Sequence, residues 1–313
     1  MLDLNNITML GGTGFIGSRL VFELSKFSNN ITILTRSREK NKKLLVIPNI
    51  KIVEADINDD IALREYTKDS DLVINTVGIL NELDSINSFE NLHVNLVKKI
   101  SNVIKYHKIK RMIHIGSLNS MNSNTSNYMK SKAEAEKYLL EITSNFCNVT
   151  IVKPSVVFGE NDTFFNRFAK ILKYSPIFPL ACPYSKFAPI YVGDLTKIII
   201  ESINDKKTYN QAIDITGPKI YTFHELIKLT LEFMKIKRFV IPLPDFLSRI
   251  QAYIFERLPG KIFTIDNYHS LQVDSVSDTG IKGTTFIEQV VPTYLNSSLS
   301  ETEINEWRKR SGR

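Results

Sequence analysis

Gly11-Gly12-Thr13-Gly14-Phe15-Ile16-Gly17 joins an apolar run at residues 7–10 to an amphipathic stretch at 15–27, where Ile16, Leu20 and Leu24 share one face. Few sequences let a buried strand pass so abruptly into a helix. Gly11 permits the sharp turn, Gly14 lets a ligand come close to the backbone, and Gly17 lets helix and strand pack tightly. The spacing is G-x-x-G-x-x-G, wider than G-x-G-x-x-G. The helix N-terminus opened this way presents free N–H groups and a positive dipole end to an anion. An ordinary βα turn also uses glycine. A position inside a βαβ pattern points to the pyrophosphate of a dinucleotide.

That pattern continues. Residues 31–34, 50–54, 72–77, 112–115 and 149–152 read as strands, and 61–66, 89–106 and 128–142 as helices. Leu92, Leu96, Val97, Ile100, Val103 and Ile104 line one face of the helix at 89–106. The unbroken apolar run at 72–77 suits a strand buried on both faces. Repeated βα units predict an α/β fold, a Rossmann-type doubly wound parallel sheet. After Pro154 the texture changes. Prolines at 176, 179, 183, 189, 242 and 244 predict irregular, cleft-forming segments. Residues 190–192 with helix 194–203, and strand 212–216, read as returns to the sheet. Thr222 and Glu225 form a capping box at a helix start. Residues 117–127, rich in Ser and Asn, read as a loop. The expected division is residues 1–160 with 187–216 returning, and a smaller C-terminal substrate or partner domain from 161–186 and 217–313.

Composition narrows the class. The chain has 313 residues, 43% hydrophobic and 23% charged, as in ordinary globular proteins. No stretch reaches the roughly 18 apolar residues of a membrane span. Cys147 and Cys182 cannot build a disulfide framework, and the five histidines are scattered, so no metal site is expected. Asp3 stands where a leader would be basic. A cytoplasmic, bacterial-type location is therefore expected, at most at the inner face of the membrane. The net charge of +7 allows an acidic partner or surface without demanding nucleic acid.

The second strand ends in Thr35-Arg36-Ser37-Arg38, where an NAD site would carry an acid for the ribose 2′-OH. Arg36 can grip a 2′-phosphate, which favours NADP(H). Asp56 follows the third strand, placed either to accept from the adenine amine or to cap the next helix. Tyr128 and Lys132 lie one helical turn apart. A free phenol titrates at about 10, and a neighbouring ammonium favours its ionised form. Ser117, ending the strand before them, can hold a carbonyl beside the phenol. This Ser/Tyr/Lys set suits hydride transfer between a nicotinamide and a carbonyl or alcohol.

Together these residues make the chain resemble the extended short-chain dehydrogenase/reductase superfamily over nearly its whole length. The segments 11–17, Asn75-Thr76-Val77-Gly78, 128–132 and Lys153-Pro154-Ser155 occur in the expected order. The strings at 77–80, 114–119, 152–159 and 189–194, and above all Phe164-Phe165-Asn166-Arg167-Phe168, resemble one atypical branch. That branch holds the nucleotide-binding accessory subunit of respiratory complex I and its bacterial relatives. The resemblance implies that Thr13, Phe15, Ile16, Ile57, Thr76, Val77, Gly78, Pro154 and Val157 join the glycines, Arg36, Asp56, Tyr128 and Lys132 around NADP(H). It also implies complex I or quinone-biosynthesis proteins as partners, with NADPH held structurally. A working oxidoreductase in ubiquinone biosynthesis is the alternative, and a sugar-nucleotide epimerase/dehydratase a third. Ser117 stands in Gly-Ser-Leu-Asn where Ser-Ser is usual.

Residues 245–258 predict a helix capped by Asp245, with Phe246, Leu247, Ile250, Tyr253, Ile254 and Leu258 on one side. The expected role of this stripe is packing on the smaller domain, with peripheral membrane contact as the alternative. The tail, Trp307-Arg308-Lys309-Arg310 and Arg313, reads as a basic, frayed end.

Overall fold

A computed structural model describes residues 5–123, 125–258 and 261–295; the basic tail lies outside the described residues. The first half alternates β1 (Asn6–Leu10), α1 (Phe15–Leu24), β2 (Asn30–Thr35), β3 (Ile50–Glu54), α2 (Asp60–Thr67), β4 (Leu72–Asn75), α3 (Leu96–His107), β5 (Arg111–Ile115), α4 (Asn127–Glu141) and β6 (Asn148–Pro154). There follow β7 (Val157–Phe158), α5 (Phe165–Tyr174), β8 (Ile177–Leu180), β9 (Lys186–Phe187), β10 (Ile190–Tyr191), α6 (Val192–Asn204) and β11 (Gln211–Thr216). The remainder is β12 (Tyr221–Thr222), α7 (Phe223–Phe233), β13 (Phe239–Pro242), α8 (Asp245–Phe255), α9 (Ile265–Leu271), β14 (Ile281–Lys282) and α10 (Ile287–Leu295).

Two compact units result. The first comprises Met1–Pro154, Leu195–Ile215 and Thr279–Ile281. Its sheet has eight strands in the order β14-β11-β6-β5-β4-β1-β2-β3. Every pairing from β3 through β11 is parallel. This is the Rossmann-type, doubly wound α/β arrangement that the alternating sequence predicts. The winding direction reverses between β1 and β4, and ligands of such sheets bind beyond the carboxyl ends of the strands at that point. Leu10, Val73, Met112 and Ile151 from the strands pack with Leu63, Leu96, Val97, Ile100 and Leu139 from α2, α3 and α4.

Two elements depart from the sequence reading. The strand expected at 72–77 stops at Asn75, because the Asn75 Oδ1 accepts the Val77 N–H at 3.0 Å and turns the chain. The helix expected at 89–106 is α-helical only from Leu96, and Glu90–Asn95 forms a wider π-helical turn. Such turns insert a residue locally and often accompany functional sites. Here the turn carries His93.

The second unit comprises Ser155–Asp194, Thr216–Asp278 and Lys282–Arg313. Its core joins α5, α7 and α10 through Phe165, Leu172, Leu226, Ile227 and Val291. Phe164 meets Phe165, Phe168 and Phe223 at ring-centroid distances of 5.1–5.9 Å. The Asp162 carboxylate accepts from the Asn166 N–H at 3.3 Å and the Tyr294 hydroxyl at 2.5 Å. The Phe-Phe-Asn-Arg-Phe string is therefore a packing motif of this unit. The capping box at Thr222 and Glu225 forms as expected.

Four expectations for this region are corrected. The proline-rich segments are not wholly irregular, since β8, containing Pro179, pairs in parallel with β13, ending at Pro242. A two-stranded sheet is all edge, so the missing N–H groups are tolerated. Ile190–Tyr191 pairs with β7 rather than joining the central sheet. The N-cap of α8 is Pro244, not Asp245; the Asp245 Oδ1 instead accepts the Tyr268 hydroxyl at 2.8 Å. The apolar stripe of α8 is exposed rather than packed.

Candidate functional site

β1 ends directly in the glycine turn. Gly11 adopts φ +77°, and a side chain there would lie 2.7 Å from the Thr76 Oγ1 and 2.9 Å from the Val77 N. Glycine is thus required where the ends of β1 and β4 converge. The Thr76 N–H and hydroxyl both donate to the Leu10 carbonyl, at 2.9 and 3.0 Å. A Cβ on Gly17 would fall 2.2 Å from the Gly11 O, so α1 lies hard against the turn. Gly14 differs: it is exposed, and a Cβ there would meet only the Gly11 O at 3.3 Å. Gly14 is the N-cap of α1, and among the described residues no side chain caps the helix. The first-turn N–H groups, on Phe15, Ile16 and Gly17, are therefore available to an anion.

Arg36 lies just beyond β2, where its Nη1 donates to the Asn87 Oδ1 at 2.9 Å. Asn87 is held in turn by Asp84, whose carboxyl is kept below the usual range chiefly by hydrogen bonds from Asn87. The guanidinium is thereby directed along the loop after β4. Asp56 does not cap α2. That role belongs to Asp59, which accepts the Ile61 N–H at 2.9 Å, while Asp56 closes a turn through the Asn58 N–H at 2.9 Å. Ile57, beside it, is buried.

α4 carries Tyr128, Lys132 and Glu136 at successive turns. Its start is fixed by Ser126, whose hydroxyl accepts the Met129 N–H. Lys132 is 4% exposed, with its Nζ donating to the Ile115 O at 3.1 Å. Burial lowers its pKa to about 8, with partial opposition from Glu136. A Cβ on Gly78 would lie 3.3 Å from that Nζ, so Gly78 and Lys132 adjoin. Tyr128 is half-buried, its ring edge-on to His93 and Phe89 at 5.7 and 5.8 Å.

His93, Ser131 and Glu136 had escaped the sequence reading. Burial, helped by the Lys132 charge, lowers the His93 pKa to about 2, so the imidazole is neutral. Its Nε2 accepts the Ile79 N–H at 3.2 Å, which leaves the proton on Nδ1, 2.8 Å from the Ser131 Oγ. The Ser131 hydroxyl donates to the Tyr128 carbonyl at 2.8 Å. This relay ties the loop after β4 to the helical turn bearing Tyr128. The Glu136 Oε1 accepts the Ser117 N–H at 3.1 Å, and its Oε2 accepts the Ser120 hydroxyl at 2.9 Å and meets the Lys153 Nζ at 3.5 Å. Burial raises the Glu136 pKa, and Lys153 opposes that most strongly. Glu136 thus orients the backbone of Ser117. The available signal was the eight-residue interval from Tyr128, which gives two helical turns on one face.

The first unit thus joins Gly11 to Thr76 and Val77, Gly78 to Lys132, and Lys132 to the end of β5 near Ser117. Pro154 ends β6, and Val157 lies in β7 of the second unit. A recess of about 320 Å³ in the first unit, lined by Asn6, Asn30, Ile50 and Tyr66, lies at the opposite strand ends and plays no part in this arrangement.

A strand-order reversal topped by an uncapped glycine turn, with a buried lysine one turn after a tyrosine, defines a nucleotide-binding short-chain dehydrogenase-like site. Residues 7–212 match the NAD dependent epimerase/dehydratase family, and the chain belongs to that family. Similar proteins include the NADH dehydrogenase (ubiquinone) 1 alpha subcomplex subunit 9, mitochondrial, of Mus musculus. It is 28% identical, over 88% of this chain and 74% of that one. The NADH-ubiquinone oxidoreductase 40 kDa subunit, mitochondrial, of Neurospora crassa is 25% identical, over 88% and 72%. Among solved structures, the Bordetella bronchiseptica enzyme WbmF in complex with NAD+ has a TM-score of 0.71 at 17% identity, over 99% of this chain and 97% of that one. That likeness supports the fold.

Proposed function

We propose that this chain binds NADP(H) at the β1–α1 turn and serves respiratory complex I as an accessory or assembly protein. The observation that carries the reading is similarity to complex I subunits along 88% of the chain. The residues fit the cofactor. The uncapped N–H groups after Gly14, with Thr13, Phe15, Ile16 and the close-packing Gly11 and Gly17, suit a pyrophosphate. Arg36 suits a 2′-phosphate, while Asp56 and Ile57 would flank the adenine. Thr76, Val77 and Gly78 would border the ribose beside Tyr128 and Lys132, with Pro154 toward the nicotinamide. Among the described residues the Lys132 Nζ donates to Ile115 O, and an ammonium has further N–H capacity for ribose hydroxyls. Bound NADPH would supply a hydride.

A second reading, an NADP-dependent oxidoreductase acting on a quinone-like carbonyl, draws on the Lys132 pKa near 8 and on the grip of Glu136 on Ser117. An ammonium beside the phenol favours its ionised form. A sugar-nucleotide epimerase role draws on the family match over residues 7–212 and on fold likeness, at 14% identity, to a Thermotoga maritima UDP-glucose 4-epimerase.

Purification from native membranes tests the main reading. The chain is expected to co-migrate with complex I, and its absence from that fraction under gentle extraction would overturn the reading. Cofactor choice is a separate prediction. Calorimetry is expected to give tighter binding of NADPH than NADH. Arg36→Asp should remove about 1.5–3 kcal/mol of NADPH affinity, the range for hydrogen bonds to charged groups. Equal wild-type affinity for both cofactors would dismiss Arg36 as the selector.

A further inference from the structure

α8 is inverted relative to an ordinary surface helix, which buries its apolar stripe. Its inward side is small and polar. Ser248 and Ala252 are fully buried. The Ser248 Oγ accepts the Cys182 N–H at 3.2 Å, and the Gln251 Nε2 donates to the Pro179 O at 2.9 Å. The outward side carries Phe246, Leu247, Ile250, Tyr253, Ile254 and Leu258, all exposed, with Phe246 at 72%. β13, which leads to α8 through the Leu243 N–H bonded to the Leu180 O, carries exposed apolar residues of its own. Phe239 is 77% exposed there, and its partner in β8, Ile177, is exposed too. Apolar surface of this extent marks an interaction site.

Charge selects the occupant. Lys235 and Lys237, both exposed, precede β13, and exposed Arg249 and Arg257 lie on α8. The carboxylates of the same run are Asp245, which accepts from Tyr268, and Glu256. The Arg257 guanidinium lies over the Tyr253 ring, 3.5 Å from its centroid, so its stem runs along the apolar face with its charge among the aromatics. Lysine is depleted at protein–protein interfaces, whereas exposed Lys235 and Lys237 stand beside this surface. A lipid interface instead takes apolar side chains into the acyl boundary and basic ones against phosphate. Among the described residues no helix is long and apolar enough to cross a membrane, so such contact is peripheral.

We propose that the exposed face formed by α8 and β13 seats this protein on an anionic lipid surface, with Phe239, Phe246, Ile250 and Ile254 entering the interface and Arg249 and Arg257 meeting headgroup phosphates. This goes beyond the cofactor and complex I reading and does not depend on it. The full chain is mixed with vesicles of phosphatidylcholine alone, or of phosphatidylcholine with phosphatidylglycerol, and sedimented. It is expected to bind the mixed vesicles, and less so at high salt. Phe246→Ser with Ile250→Ser should weaken that binding more than roughly tenfold. Arg249→Gln and Arg257→Gln should each weaken it roughly fivefold and leave any binding to phosphatidylcholine unchanged. If the serine pair fails to fold, the arginine variants decide. The proposal is overturned if neither vesicle binds the wild type or if binding ignores all these substitutions. It is also overturned if sedimentation equilibrium shows a dimer that the serine pair dissolves, since a second copy then covers the face. The NADPH-induced rise in melting temperature, read on the same samples, separates loss of this face from failure of the cofactor reading.

Discussion

Arg111→Met is expected to destabilise the protein by about 1–3 kcal/mol for each buried acceptor that it leaves without a donor. Arg111 is 0% exposed at the start of β5. Its Nε donates to the Ile203 O at 2.9 Å, its Nη1 to the carbonyls of Met112 and Asn148, and its Nη2 to the Ser202 O and the Thr150 Oγ1. Ser202 and Ile203 belong to the last turn of α6, where carbonyls lack helical partners. One guanidinium thus closes the end of a helix onto two strands. The planar group also lies 4.5 Å from the centroid of the Tyr209 ring. Burial lowers its pKa to about 10, so the charge persists at neutral pH. Methionine fills much of the volume but donates nothing, so these acceptors each lose a donor, although the Ser202 O keeps the Thr208 hydroxyl at 2.9 Å and the Ile203 O the Tyr209 hydroxyl at 3.4 Å. Urea unfolding at pH 7 measures the effect. A loss below about 1 kcal/mol would mean that the carbonyls find other donors and that Arg111 is a replaceable filler.

Arg111 also illustrates what sequence reasoning could not reach. The strand beginning at Met112 was legible because its apolar run is continuous, but an arginine in front of it reads as a solvated end. Its partners lie up to 92 residues away, and no periodicity reports them. The parallel sheet was legible for the opposite reason: each strand from β1 to β6 carries its own apolar signal between local turn signals. The second unit was less so. Its sheets are two-residue and four-residue pairs, too short for a pattern of period two, and the prolines of β8 and β13 argued against strand when only a central sheet was considered. α8 misled because hydrophobic periodicity reveals that a helix has an apolar face, not which way the face points.

At the site, motif positions were legible and their supports were not. Gly11, Tyr128 and Lys132 advertise themselves through spacing. His93 reads as one more residue in an amphipathic helix. Only the π-helical turn brings its Nε2 to the Ile79 N–H and its Nδ1 to Ser131. Asn75 and His114 are similarly hidden in adjacent buried strands. Their side chains meet at 3.2 Å, and the His114 Nε2 has no hydrogen-bond partner among the described residues. Asp56 shows the reverse case: a residue with two sequence readings, of which the capping role passes to Asp59 three positions on.

Tyr128→Phe is expected to retain NADPH binding and normal complex I content in cells, whereas Gly14→Val loses both. The contrast follows from what each side chain touches. The Gly14 φ of −76° suits any residue, and a Cβ there meets only the Gly11 O at 3.3 Å. Valine should therefore fold while intruding on the space a pyrophosphate needs. Gly17 would be a poor choice, because a Cβ 2.2 Å from the Gly11 O would disturb the turn itself. In wild type, NADPH at a hundredfold excess over its Kd should stabilise the fold by about 2.7 kcal/mol, and Gly14→Val should abolish the corresponding rise in melting temperature. At Tyr128, the ring packs against Phe89 and His93, and the His93–Ser131 relay acts on the carbonyl oxygen. Phenylalanine preserves both and removes only the hydroxyl that proton transfer requires. If complex I content falls with Tyr128→Phe as far as with deletion of the chain, the accessory reading fails. It also fails if the pure protein reduces a quinone-like carbonyl with NADPH and this variant does not. Ser117, Tyr128 and Lys132 would then act as a working catalytic set, with Glu136 and His93 as the groups that hold it in position.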